Sequence, residues 1–243
     1  MITNSTSGTS IDEVAAGVFR ISTPIDFPNG QGFSFNQYLL VDDAPLLFHT
    51  GPRQMFALVK EAVASVIPVD RLRYVGVSHV EADECGSLNQ WLAAAPEAVP
   101  LCGHVAAMVS LGDLADRPPR PMADGEQLCL GRSTLCWFDT PHVPHGWDCG
   151  LLMEVTTGLL FCGDLFTQPG HAKQAMTSAD ILGPSEAFRQ PMDYFAHAPQ
   201  TANTLARLAQ MQPKTLACMH GSAWQGDGAE LLRRLAESIA VAN

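Results

Sequence analysis

The chain has 243 residues, enough for one large domain, and carries 25 acidic against 14 basic side chains, a net charge of −11. That balance argues against nucleic acid or an anionic membrane surface as a partner, since both are held chiefly through basic charge. Arg53, Arg71, Arg73, Arg117, Arg120 and Arg132 are scattered rather than gathered into a stripe.

No run approaches the ~20 apolar residues that span a membrane. The opening also lacks the basic start and apolar centre of a secretory leader, which makes the cytoplasm the default compartment. Seven cysteines, an odd number without a C-x-x-C pair, suit reduced thiols better than a disulfide framework.

In chain order, residues 1–10, rich in Ser and Thr, read as a flexible lead-in, and 11–243 as a single domain. Val18–Ser22 and Gln37–Val41 read as strands, and Asp42-Asp43-Ala44-Pro45 turns the chain into Leu46–His49. Gln54–Ser65 reads as a helix with Phe56, Val59 and Val63 on one side. The short apolar run Tyr74–Ser78 is a buried strand, and the helix expected from Asp83 to Ala95 places Leu88, Trp91 and Leu92 at helical spacing, with Asp83 able to cap it. Between them, His79, Glu81 and Asp83 offer an imidazole and two carboxylates in one strand-to-helix turn.

A strand at Val99–Cys102, a short helix near Val105–Leu111 and a Pro-rich turn at Arg117–Pro121 follow. Gln127–Leu130 and Thr134–Phe138 lead to Pro141-His142-Val143-Pro144-His145. Leu151–Val155 turns through Thr156-Thr157-Gly158 into Leu159–Gly163 and then Asp164. Residues 167–199 are irregular, broken by Pro169, Gly170, Gly183, Pro184 and Pro191, and carry Met176, Phe188, Met192, Tyr194 and Phe195, an apolar set suited to roofing a site. Helices are expected at Thr201–Met211 and Ala229–Val241, with the strand Thr215–Met219 running into His220-Gly221 between them.

Four strand ends thus deliver imidazoles and carboxylates in the order H-x-[H/E]-x-D, H-x-P, G-D and H-G. That order resembles the metallo-β-lactamase superfamily, over nearly the whole chain from the hairpin at Tyr38–Thr50 to the last helix. Glu81 at the middle of the first motif, where hydrolytic members carry His, is similar to the di-iron flavodiiron branch and its flavin-free oxygen-binding relatives. The resemblance implies a four-layer αββα sandwich of class α/β with metals at one edge between the sheets. It implies one metal on His79, Glu81 and His142, a second on Asp83 and His220, and Asp164 bridging them. Flavodiiron enzymes keep their flavin in an extension after the last helix, so no bound FMN is expected and electrons would come from a separate donor.

The donor chemistry agrees with that reading. Hard carboxylate oxygens with imidazole and open positions suit iron that binds oxygen, ahead of zinc or manganese. Three carboxylates, against two in the His version, favour a more positive metal pair electrostatically. Glu84 stands where the superfamily usually has a further His, and is read as an outer hydrogen-bond acceptor or a helix-start carboxylate before a ligand. His145 is read either as an outer or proton-handling group beside the site or as a surface-loop histidine, and His49 as a residue that orients a ligand through its ring N–H. Cys162 and Cys218, two residues before Asp164 and His220, are read as packing residues, and His171 lies in the stretch that borders the site.

The expected function is a non-haem di-iron protein that binds, senses or reduces dioxygen or nitric oxide. The alternative is a dinuclear hydrolase of an ester, thioester or phosphoester, whose metals activate a bridging hydroxide. Oligomerisation is open.

Overall fold

The structure is a computed structural model that describes residues 1–172 and 174–242. In the first half, β1 (Ile2–Asn4), β2 (Thr9–Ala15), β3 (Val18–Asp26), β4 (Gly32–Leu40) and β5 (Leu46–Phe48) form an antiparallel run. It continues in parallel through β6 (Tyr74–Gly76), β7 (Val99–Gly103) and β8 (Arg120–Met122), giving eight strands in sequence order. Between these strands lie α1 (Phe56–Ala64), α2 (Ala82–Cys85), α3 (Leu88–Ala94), α4 (His104–Val109) and α5 (Leu111–Leu114).

The second half contributes β9 (Gln127–Cys129), β10 (Thr134–Asp139), β11 (Gly150–Glu154), β12 (Leu159–Phe161), β13 (Met176–Thr177), α6 (Leu182–Met192), α7 (Thr201–Gln210), β14 (Thr215–Ala217), β15 (Ala223–Gln225) and α8 (Gly228–Ala242). Its seven strands run in the order β13-β15-β14-β12-β11-β10-β9, with β12 parallel to β14.

Period-two alternation on each strand sends neighbouring side chains into different layers. In the first sheet, Leu39, Leu47 and Val75 pack outward against Val59 and Val63 of α1 and Leu88, Trp91 and Leu92 of α3. Their neighbours Tyr38, Leu40, Leu46 and Phe48 face inward against Trp137, Leu152, Leu159 and Phe161 of the second sheet. On the far side, Phe138, Leu151 and Leu160 cover Leu205 and Leu208 of α7 and Leu232 and Leu235 of α8. The four-layer αββα sandwich expected from the sequence is therefore the observed architecture.

Trp137 shows how tightly the middle layer closes. Its indole N–H donates to the Asp139 carboxylate at 2.8 Å, and a Cβ at position 150 would lie 2.1 Å from its ring. Gly150 is the residue that lets the hairpin pass the indole.

Three sequence expectations need correction. Residues 1–10 are not a loose lead-in: β1 pairs with the start of β2 (Ile2 opposite Ser10, Asn4 opposite Thr9), and the Thr9 and Thr23 hydroxyls meet at 3.0 Å. Polar composition suits a sheet edge as well as a linker. The helix expected from Asp83 to Ala95 is two short helices broken at Gly86-Ser87, where the Ser87 hydroxyl donates to the Thr50 carbonyl at 2.8 Å; Asp83 lies in the first turn and does not cap it. The irregular stretch contains the 11-residue helix α6. Pro184 sits in its first turn, where a missing N–H costs nothing, and Asp180 accepts from the Leu182 and Gly183 N–H groups instead.

Candidate metal centre

The donors collect at one edge of the sandwich, just beyond the C-terminal ends of β6, β12 and β14 and in the loop joining β10 to β11. Backbone bonds lace these loops together. Gly150 N–H donates to the Ser78 carbonyl at 2.8 Å, Met219 N–H to Gly163 at 3.0 Å, and Asn36 N–H to Met219 at 2.9 Å. Gly221, at φ +100°, has no room for a side chain, since a Cβ there would meet Gln168 at 2.5 Å.

One group of donors comprises His79, Glu81, His145 and Asp164. His145 Nε2 lies 3.0 Å from His79 Nε2, 3.2 Å from Glu81 Oε1 and 3.2 Å from Asp164 Oδ2. His79 Nε2 lies 3.5 Å from Asp164 Oδ2 and 3.8 Å from Glu81 Oε1. A second group joins His220 to the other oxygen of the same aspartate: His220 Nε2 is 3.3 Å from Asp164 Oδ1 and 3.4 Å from Asp83 Oδ2. Asp164 thus presents one oxygen to each group.

Donor separations of this size match the edges of a polyhedron whose bonds are ~2.1 Å, for which ~3.0–3.4 Å is expected. Both Glu84 oxygens are buried without a hydrogen-bond partner. The residues present therefore fit a pair of cations, with the donor types that suit iron.

The imidazoles are pre-set as ligands by what holds their other nitrogen. His220 Nδ1 lies 2.9 Å from the Ser34 carbonyl, which can only accept, so in the neutral ring the lone pair belongs to Nε2. For His79 the tautomer follows from a relay. Ser78 N–H donates to His49 Nε2 at 3.4 Å, making that nitrogen an acceptor; the Ser78 hydroxyl, 2.9 Å from it, donates as well and accepts from His79 Nδ1 at 2.9 Å. His49 is therefore linked to the His79 ring through Ser78. Burial, helped by the facing His79, lowers His49 to about 3, so its ring stays neutral.

In the metal-free protein the carboxylates hold protons on two of the imidazoles. Burial works against this, yet hydrogen bonds to Asp164 and Asp83 lift His220 to about 10, and those to Asp164 and Glu81 lift His145 to about 10. Burial would raise Asp164, but the hydrogen bonds from His145 and His220 hold it well below the usual carboxylate range. Glu84 goes the other way: burial, then the charges of Asp164 and Asp83, push it well above its usual value.

Of the six expected ligands, five converge: His79, Glu81, Asp83, Asp164 and His220. His142 does not. It adopts φ +66° and lines a surface cleft with Ala196, His197 and Gln200, while Val143 beside it is fully buried. The loop then curls so that Gly146 accepts from His142 N–H at 2.7 Å, which turns His145 inward. The structure thus brings His145, and not the His142 chosen by the H-x-P pattern, into the donor group. His171 bonds Asp26 at 2.7 Å, away from the donors.

The apolar roof is partly realised. Phe33 packs on the His220 ring at 4.4 Å and stacks with Phe188 at 5.8 Å, and Tyr194 lies edge-on to His145 at 5.9 Å. Phe195 is buried in the outer core, and Met192 is exposed. Cys162 and Cys218, their sulfurs 3.8 Å apart, also belong to that outer core and supply no donor.

A clamp around the His220 loop was not foreseen. Arg20 donates to the Gly221 carbonyl at 2.7 Å, Asn36 to Cys218 and Gly221 at 2.8 Å each, and Tyr38 to Cys218 at 2.7 Å. Its anchors are far apart in the chain, the Arg20–Gly221 bond spanning 201 positions, so spacing in the sequence carries no sign of it.

The family model described as "ODP family beta lactamase" matches residues 33–221. A rubredoxin-oxygen oxidoreductase of Megalodesulfovibrio gigas is 26% identical over 204 residues, 80% of this chain and 50% of the relative. An anaerobic nitric oxide reductase flavorubredoxin of Pectobacterium carotovorum is 24% identical over 213 residues, 83% of this chain and 42% of the relative. The chain thus spans half or less of the length of these curated relatives. Among solved structures, the rubredoxin oxygen:oxidoreductase of Desulfovibrio gigas superposes with a TM-score of 0.80 at 20% identity, over 94% of this chain and 62% of that one. A fragment of a putative diflavin flavoprotein of Nostoc sp. superposes with a TM-score of 0.77 at 16% identity, over 96% of both chains.

Proposed function

The chain belongs to the ODP beta-lactamase family, on the flavodiiron side of the metallo-β-lactamase fold, and from this we propose that it is a non-haem di-iron protein that binds dioxygen or nitric oxide. The observation that carries the reading is the carboxylate-rich donor set, with Glu81 rather than an imidazole 3.2 Å from His145. One iron would be held by His79, Glu81 and His145, the other by Asp83 and His220, with Asp164 reaching both.

Bound iron supplies redox exchange and open positions for a diatomic gas. The chain's own residues fix the imidazoles and limit water. Ser78 and the Ser34 carbonyl engage Nδ1 of His79 and His220, so that in each neutral ring Nε2 is the nitrogen offered to a metal. A cleft of about 540 Å³ lined by Phe27, Phe33, Phe188 and Met192 leads to the Phe33 ring, and its apolar walls favour a small neutral molecule over an anion. The Tyr194 hydroxyl donates to the Asp164 carbonyl at 3.2 Å, so its proton is committed to the backbone.

Turnover would draw on an electron donor; binding alone would let the protein hold or sense the gas. Among the described residues no helix is long and apolar enough to cross a membrane. The seven free thiols accord with a reducing compartment such as the cytoplasm.

The test is anaerobic loading of chelator-stripped protein with iron(II), followed by absorption spectra before and after oxygen or nitric oxide. Two irons per chain and a gas-dependent charge-transfer band support the reading. Preferential zinc retention, a silent spectrum and turnover of an ester or thioester would establish the hydrolase in its place.

A further inference from the structure

We propose that Glu84 is itself a metal ligand, a fourth carboxylate shared between the two metal positions. The proposal deepens the di-metal reading above and rests on it.

Glu84 is fully buried, and neither of its carboxylate oxygens has a hydrogen-bond partner. A carboxylate removed from water is tolerated when a cation or a set of donors replaces the water it lost. No Lys or Arg forms an ion pair with it among the described residues, and its nearest basic neighbour is the ligand His79, whose Nε2 lies 3.9 Å from Glu84 Oε2. The placement is specific. Glu84 joins His79 and Asp164 in one cluster of donor atoms and Glu81 and Asp83 in another, each within 4.8 Å. It therefore borders donors of both metal groups.

A helix-start role does not account for this orientation. The helix has four residues, and the Glu84 main chain is already fixed by the Thr50 N–H, which donates to its carbonyl at 2.8 Å. The side chain is turned into the donor cluster.

The chemistry that follows is a charge balance. Glu81, Asp83, Glu84 and Asp164 together carry four negative charges, matching two divalent cations, so the filled site is electrically neutral in its reduced form. An imidazole at this position would leave a net positive charge to be buried. Glu84 thus adds a hard oxygen donor that favours iron or manganese over zinc.

The experiment is anaerobic titration of iron(II), and separately zinc(II), into chelator-stripped wild type, Glu84→Gln, Glu84→His and Glu84→Ala, with metal content counted by elemental analysis and folding checked by circular dichroism. Wild type is expected to take two irons, Glu84→Gln to lose roughly tenfold or more in affinity for at least one of them, and Glu84→His to recover stoichiometry with zinc preferred over iron. A structure of the iron-loaded wild type should place a Glu84 oxygen about 2.0–2.2 Å from a metal. If wild type takes two irons and folded Glu84→Gln binds both unchanged, the proposal is overturned while the di-metal reading stands. If wild type takes none, both fall.

Discussion

The Nε2 atoms of His79 and His145 meet at 3.0 Å, although one follows a strand of the first sheet and the other lies in a hairpin loop of the second. His79 Nδ1–H is committed to Ser78, so its Nε2 offers a lone pair toward the same point as His145. Removing His145 should therefore empty a metal position, and removing His142 should not. His145→Ala is expected to retain one metal or fewer per chain and His142→Ala two, counted by elemental analysis after iron loading.

The relay behind His79 gives a graded version of the same test. Ser78→Ala removes the acceptor that fixes the ring without touching a ligand. Its iron affinity should fall by about 10–100-fold, the usual cost of losing such a partner, with the fold intact. An unchanged binding isotherm would show that His79 is oriented by packing alone.

Acidity should separate the empty and loaded forms. In the empty protein His145 and His220 are raised to about 10 against an unfolded value near 6.5, so the stability they contribute is complete below ~6.5 and is lost as pH climbs toward 10. Glu84, raised by burial and by the neighbouring carboxylates, acts in the same direction. The melting temperature of metal-free protein should fall between pH 7 and 10. That of iron-loaded protein should fall less, because the metal already holds the imidazoles unprotonated. Parallel melting curves for the two forms would count against the assignment.

The clamp on the His220 loop predicts an effect at a distance. Asn36 serves two carbonyls of that loop, yet without it Tyr38 still reaches that of Cys218 and Arg20 that of Gly221. Asn36→Ala should thus cost about 1–3 kcal/mol by chemical denaturation and weaken the metal on Asp83 and His220 more than the one on His79 and Glu81. Tyr38→Phe removes a single bond and should cost about 1 kcal/mol.

Most of the sandwich was legible because apolar strands bounded by turn residues announce themselves, and because four of them end in ligand-type side chains. What escaped shares a cause: it depends on geometry that spacing does not carry. Choosing between His142 and His145 turned on a left-handed backbone at one residue and the burial of Val143 beside it. The edge strand at Ile2–Asn4 has the composition of a linker, and α6 contains two prolines, Pro184 in its first turn and Pro191 in its last, which in a sequence read as helix breakers. The Arg20 and Asn36 contacts span 201 and 185 positions. Burial of Glu84 is likewise a tertiary fact, invisible in a turn that carries three acidic residues, Glu81, Asp83 and Glu84.

The division of donors between the two halves carries a mechanical consequence. His79, Glu81 and Asp83 descend from the first half, and His145, Asp164 and His220 from the second, so each ion fastens sheet to sheet across the mouth of the sandwich. Loaded protein should therefore resist denaturant kinetically, with a slower unfolding rate than the stripped form, and amide exchange in the turn at 79–84 and the loops at 140–149 and 162–168 should drop together when the ions arrive.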